Sequence, residues 1–268
     1  MKKLIWILVP CLIALSSCNT RTENPSNEKL SIESSSEGSG DKVLIRLKPP
    51  QGTTQHMTVT LNVKSEDEED EMSVNMVSKM DVSVVDQQDT VNTFEMRYKS
   101  MKMSIRAGAM EMEYDSESNE QNSMSAILDG QMKALLEKPV FMKMDQMGRL
   151  IEMHLPGNIT KEQTGDLSSF AVPLPEQAVG MGDSWTAKKQ VENYGELDMT
   201  MTIDKITVDA VQIKVKGFIN TNDGENPSEI DGVYQLDRKT GMTKDGQMNM
   251  QMNMTGKKMK TIIEFKST

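Results

Sequence analysis

The chain has 268 residues, a formal net charge of −10, and 25 Met against only five Phe, four Tyr and two Trp. Dispersed Lys and Arg with few base-stacking aromatics exclude a nucleic-acid surface, and two His with two Cys leave too few ligands for a conventional zinc site. The length is ample for a buried core and suits one large β domain or two small ones.

Met1-Lys2-Lys3, an apolar run over 4–15 and small residues before Cys18 are the parts of a secretory signal. The segment Leu15-Ser16-Ser17-Cys18 resembles the bacterial lipobox. That resemblance implies cleavage after residue 17, diacylglycerol on the Cys18 thiol and acylation of the new amino terminus. The apolar run is too short to cross a bilayer as a helix, so the expected membrane anchor is lipid, and several acyl chains hold a protein firmly. Cys11 leaves with the signal peptide and Cys18 carries the lipid, so no thiol remains for a disulfide, a metal or a nucleophile. Residues 18–41 read as a flexible tether. Glu33-Ser34-Ser35-Ser36-Glu37-Gly38-Ser39-Gly40 is too polar to offset the entropy of ordering, and a coil of this length reaches about 25–30 Å.

From residue 42 the pattern turns to period two, the mark of half-buried strands. Met57, Val59, Leu61 and Val63 alternate with polar residues. Met72, Val74, Met76, Met80, Val82 and Val84 then share one parity, and the acidic run over 66–71 between the two strands reads as a solvated hairpin loop. Phe94, Met96 and Tyr98 sit on even positions, but Met101, Met103 and Ile105 sit on odd ones. That parity switch predicts a β-bulge near Lys99-Ser100. Met110, Met112 and Tyr114 form a further short strand. One stretch changes period: Met124, Ile127, Leu128, Met132, Leu135 and Leu136 fall at helical spacing, with Asn122 or Ser123 as cap and Pro139 as stop. Strands follow on either side of Asp145-Gln146-Met147-Gly148. The stretch over 158–182 is irregular, with a helical turn near 160–167 and an extended Pro173-Leu174-Pro175. Beyond Trp185 the alternation returns through Met199 and Met201, Val211 to Ile219, a turn at Asn222-Asp223-Gly224, a second strand–Asp–turn–Gly piece ending at Gly241, and Met248, Met250, Met252 and Met254. The expected fold is mainly β: a strongly curved antiparallel sheet or open barrel, with one principal covering helix. The β domain is 42–268, and its halves, 42–157 and 170–268, look related.

Residues i and i+2 point to the same side of a strand, so the Met-x-Met pairs gather thioethers on one sheet face. Three readings compete. Methionine can replace leucine as plain core, leaving an envelope scaffold or protein-interaction module. It can form a soft surface for variable hydrophobic ligands. It can also bind Cu(I), which favours thioether ligands, although repeats spread over many strands make a wall more than a compact site. The second reading names Met101, Met103, Met110, Met112, Met142, Met144, Met199, Met201, Met248, Met250, Met252 and Met254 as ligand-lining. No nucleophile elbow, phosphate loop or metalloprotease helix occurs, and the expectation is a non-enzymatic protein with no catalytic residue, resident metal or cofactor. Asp89-Thr90-Val91 matches a short O-glycosylation pattern of exported bacterial proteins, which singles out Thr90.

Pro173-Leu174-Pro175-Glu176-Gln177-Ala178-Val179-Gly180-Met181-Gly182-Asp183-Ser184-Trp185, together with Tyr234-Gln235-Leu236-Asp237-Arg238-Lys239-Thr240-Gly241, resembles an uncharacterised family of Gram-negative exported lipoproteins. More loosely, the architecture is similar to periplasmic lipoprotein carriers, in which a curved sheet holds acyl chains. The resemblance implies a lipoprotein on the periplasmic face of the outer membrane, since no acidic export signal follows Cys18. Its expected partners are the membrane, through the N-terminal lipid, and a hydrophobic small molecule, lipid or acyl chain.

Overall fold

The computed structural model describes residues 31–35, 42–65, 72–118, 125–157, 173–191, 195–221, 227–254 and 257–268. The alternating segments form strands: β1 (Ser31–Ser35), β2 (Thr54–Ser65), β3 (Met72–Gln88), β4 (Val91–Ala107), β5 (Met110–Asp115), β6 (Val140–Asp145), β7 (Leu150–His154), β8 (Ser184–Val191), β9 (Gly195–Ile206), β10 (Ala210–Thr221), β11 (Ser228–Asp237), β12 (Thr243–Met254) and β13 (Lys257–Ser267). Helix α1 (Ser125–Glu137) lies between β5 and β6. The strands make one antiparallel sheet in the order β1-β8-β9-β10-β11-β12-β13-β2-β3-β4-β6-β7, with β5 beside β4. Its end strands, β1 and β7, do not pair with each other, so the sheet is open. The chain is mainly β, as its periodicity predicts.

The two halves meet where β13 pairs with β2, and most of their buried apolar side chains form one core, with Val84, Phe94 and Met144 in a small second cluster. A twelve-strand path cannot hide an apolar face under one short helix. It hides that face by curving upon itself. The anticipated bulge lies in β4: Lys79 faces Ser100 and Met80 faces Tyr98, leaving Lys99 as the extra residue. Tyr98 and Met101 therefore stay on the same side. Helix α1 buries Leu128, Met132 and Leu135, at spacings of four and three, and packs on β4 and β5.

One end of the sheet is closed by a strap, residues 43–50. Val43 bridges Val179, the Leu47 N–H donates to the Gln146 carbonyl, and the Lys48 N–H donates to the Thr240 carbonyl. The Arg46 guanidinium donates to the carbonyls of Pro175 and Glu176, and the Asn92 amide donates to the Leu47 carbonyl. Ile45 within the strap is buried, as are Leu174 and Val179. The Leu174 N–H also donates to Met147 in the β6–β7 turn, which ties the approach to β8 to the far end of the sheet. Both strand–Asp–turn–Gly pieces lie at this end and receive the strap. Asp145 accepts the N–H groups of Met147 and Arg149; Asp237 accepts those of Lys239 and Thr240, and the Thr240 hydroxyl as well.

Burial alone would push the Asp237 carboxyl up, but the donors of Thr240 and Lys239 outweigh it and hold the group below the usual carboxylate range. Stability from a depressed carboxyl is complete above the ordinary value, about 4, and is lost as pH falls through the folded value. Thermal stability should therefore decline below about pH 4, and Asp237→Asn should shrink that decline. An acid limb unchanged by the substitution would remove Asp237 from the account.

One expectation needs correction. Ser31–Ser35 was predicted as tether but forms edge strand β1, with Ile32 opposite Ala187 and Ser34 opposite Trp185. Main-chain pairing on a free strand edge needs little from the side chains, so a serine-rich segment can still add a strand. The signal peptide, Cys18, the acidic run over 66–71, the cap residues Asn122 and Ser123, the turn near 160–167 and Asn222-Asp223-Gly224 lie outside the described residues.

Candidate functional site

Cross-strand partners share a face, so the register can be followed around the sheet. Trp185, Met201, Val215, Gly232, Met248, Ile263, Leu61, Met76, Met103 and Tyr114 are successive partners from β8 to β5. They form an apolar belt across ten strands. By the same tracing, every strand methionine with a described side chain falls on this inner face. No charged residue with a described side chain falls on it within the three central strands β13, β2 and β3.

The predicted lining residues divide into groups. Met101, Met103, Met112, Met144, Met201 and Met248 are buried in the core. Met110, Met142, Met199 and Met250 are half-buried and pack against that core. Met252 and Met254 continue the register of β12, but their side chains lie outside the described residues. Thr90 is exposed at the β3–β4 turn. His56 and His154 both lie on the exposed surface: His56 meets Asp81 at 2.6 Å and His154 meets Glu152 at 2.8 Å. The hydrogen bond from His56, followed by that from Lys99, lowers the Asp81 carboxyl below its usual range. On the outer face, Glu229, Asp231, Gln247, Asn249, Gln251, Lys260 and Ile262 border a polar groove of about 330 Å³.

The middle of the inner face is a patch of three rows on β13, β2 and β3. Its central row is Ile263, Leu61 and Met76, which face inward yet are only half-buried. The row toward the strap is Phe265, Val59 and Ser78; the opposite row is Thr261, Val63 and Val74. All six flanking residues are buried. Ser78 Oγ and Thr261 Oγ1 are the two buried side-chain oxygens without a hydrogen-bond partner among the described residues. They occupy opposite corners of this patch. Nearby, the half-buried Tyr98 projects from the same face opposite Met80, and burial pushes its phenol up to about 12. Ser78 is the one gap in the apolar parity that runs from Met72 to Val84, which is the signal that periodicity alone passes over.

A family model described as a family of unknown function (DUF6263) matches residues 89–162 and 158–267. No curated protein matches the chain. Among solved structures, the chain is similar to one described as lipid–protein interactions in lipovitellin, with a TM-score of 0.51 and 11% identity, covering 82% of this chain and 25% of that one. The chain thus spans about a quarter of that protein's length, and at this identity the likeness is one of fold.

Proposed function

Since the chain belongs to the DUF6263 family of unknown function, membership brings no activity with it, and we propose from its own residues that it is a non-enzymatic, lipid-anchored envelope protein whose inner face binds a hydrophobic ligand, a lipid or acyl chain. The observation that carries this reading is the central row Ile263, Leu61 and Met76. These side chains point to the apolar side of a curved sheet but keep contact with solvent. Half-buried Met199 and Met250 extend the same surface, and unbranched thioethers re-pack around ligands of different shape at little cost. The structure sharing this fold carries lipid in its description, which agrees with the reading at the level of architecture. The buried methionines, Met101, Met103 and Met201 above all, favour the plain-core reading for their own positions. Core and lining are thus divided among different methionines of one face.

The test is uptake of N-phenyl-1-naphthylamine, a neutral apolar dye that fluoresces in dry sites. The expected result is saturable binding at about 10 μM or tighter, lost in Met76→Trp, which fills the space beside Leu61. A dye signal no greater than that of buffer would remove the ligand reading and leave the scaffold.

The likeness of Leu15-Ser16-Ser17-Cys18 to a lipobox supports an anchor at Cys18, and the reading puts the domain on the periplasmic face of the outer membrane. Cys18→Ala should shift the protein from the membrane to the soluble fraction with an unchanged melting temperature. Retention in the membrane fraction would count against the lipid anchor.

A further inference from the structure

We propose that the patch on β13, β2 and β3 selects a neutral lipid, an apolar molecule carrying uncharged hydrogen-bonding oxygens such as an acylglycerol, over a fatty-acid anion. The inference rests on the ligand-binding reading above and adds the chemistry of the ligand's polar part. Two observations meet at this place. The solvent-reaching row of the inner face, Ile263, Leu61 and Met76, is bracketed by Ser78 two residues beyond Met76 and by Thr261 two residues before Ile263. These are also the two buried side-chain oxygens that lack a partner among the described residues, in residues 2% and 3% exposed. A buried hydroxyl left unpaired is costly, and alanine or valine would fill the same volume without that cost. Both hydroxyls can donate to or accept from an ester, hydroxyl or amide oxygen.

Charge decides the class. None of the nine patch positions is a cation: seven are apolar residues, one is a serine and one a threonine. A carboxylate or phosphate brought against it would lose its hydration without gaining an ion pair. An ester or hydroxyl gives up far less water and finds a matching group. Two strand spacings and four residues place Ser78 and Thr261 about 16 Å apart. One polar group therefore uses one hydroxyl at a time, while the chain lies along the apolar row between them.

The experiment is competition on the full chain at mildly alkaline pH, with bound N-phenyl-1-naphthylamine displaced by 1-monopalmitoylglycerol or by palmitate. The expected result is half-displacement by the acylglycerol at about tenfold lower concentration than by palmitate. In the Ser78→Ala, Thr261→Val double variant that preference, read against the variant's own dye affinity, should fall to about twofold. Equal or better competition by palmitate on the natural chain overturns the inference, as does an undiminished preference in the double variant. Failure of the natural chain to take up dye overturns the ligand reading, and this inference with it.

Discussion

Gly241→Ala should lower the melting temperature by about 6–12 °C, which corresponds to about 3 kcal/mol. Gly241 has φ of +70°, a conformation that costs an L-residue about 1–2 kcal/mol. A Cβ there would also press into the Arg46 carbonyl oxygen and lie 2.7 Å from its carbon. Both atoms belong to the strap, which must then lift. Lifting strains the neighbouring bonds from Leu47 to Gln146 and from Lys48 to Thr240. Gly52→Ala is the control. Its φ is +83°, yet its Cβ would meet nothing within 4 Å, so only the conformational cost of about 1–2 kcal/mol remains. Circular-dichroism melts of the two variants check the pair. Equal losses would mean that contact with the strap adds nothing.

The second large effect is expected at Trp185. The side chain is 1% exposed, partners Met201 across β9 and donates its indole N–H to the Pro173 carbonyl at 2.8 Å. Trp185→Ala removes the largest fully buried side chain among the described residues, at a cost of about 4 kcal/mol. The melting temperature should fall by about 8–16 °C. Trp185→Phe keeps most of the packing and loses the hydrogen bond, leaving a carbonyl to find water, and should cost about 1–2 kcal/mol. The discriminating measurement is the difference between the two variants. If phenylalanine destabilises as much as alanine does, the link to Pro173, not the packing, holds this corner.

Much of this was legible in the amino-acid order because a strand exposes its period. The shift from Tyr98 to Met101 announced the bulge at Lys99, and helical spacing from Leu128 to Leu135 announced α1. The inner face was legible too, because Met-x-Met pairs can only stack on one side. Other features rest on main-chain bonds between residues far apart, which leave no mark on composition. Nothing in Leu47 or Lys48 tells which carbonyl their N–H groups will meet. Nothing in Ser-Ile-Glu-Ser-Ser announces an edge strand on β8. The division of methionines into buried and half-buried groups was also hidden, because it depends on the curvature of the whole sheet. Met76 and Met80 share a parity and a strand, but Met80 is buried and Met76 is not.

The pairing of β13 with β2 has a consequence for how the chain is made. Phe265 and Val59 lie roughly 200 residues apart in the polypeptide yet sit side by side at the sheet's centre. A ribosome releases Val59 long before Phe265. The sheet therefore acquires its middle last. Until β13 emerges, β2 has no partner on that side, and its open strand edge is a place where another chain could pair.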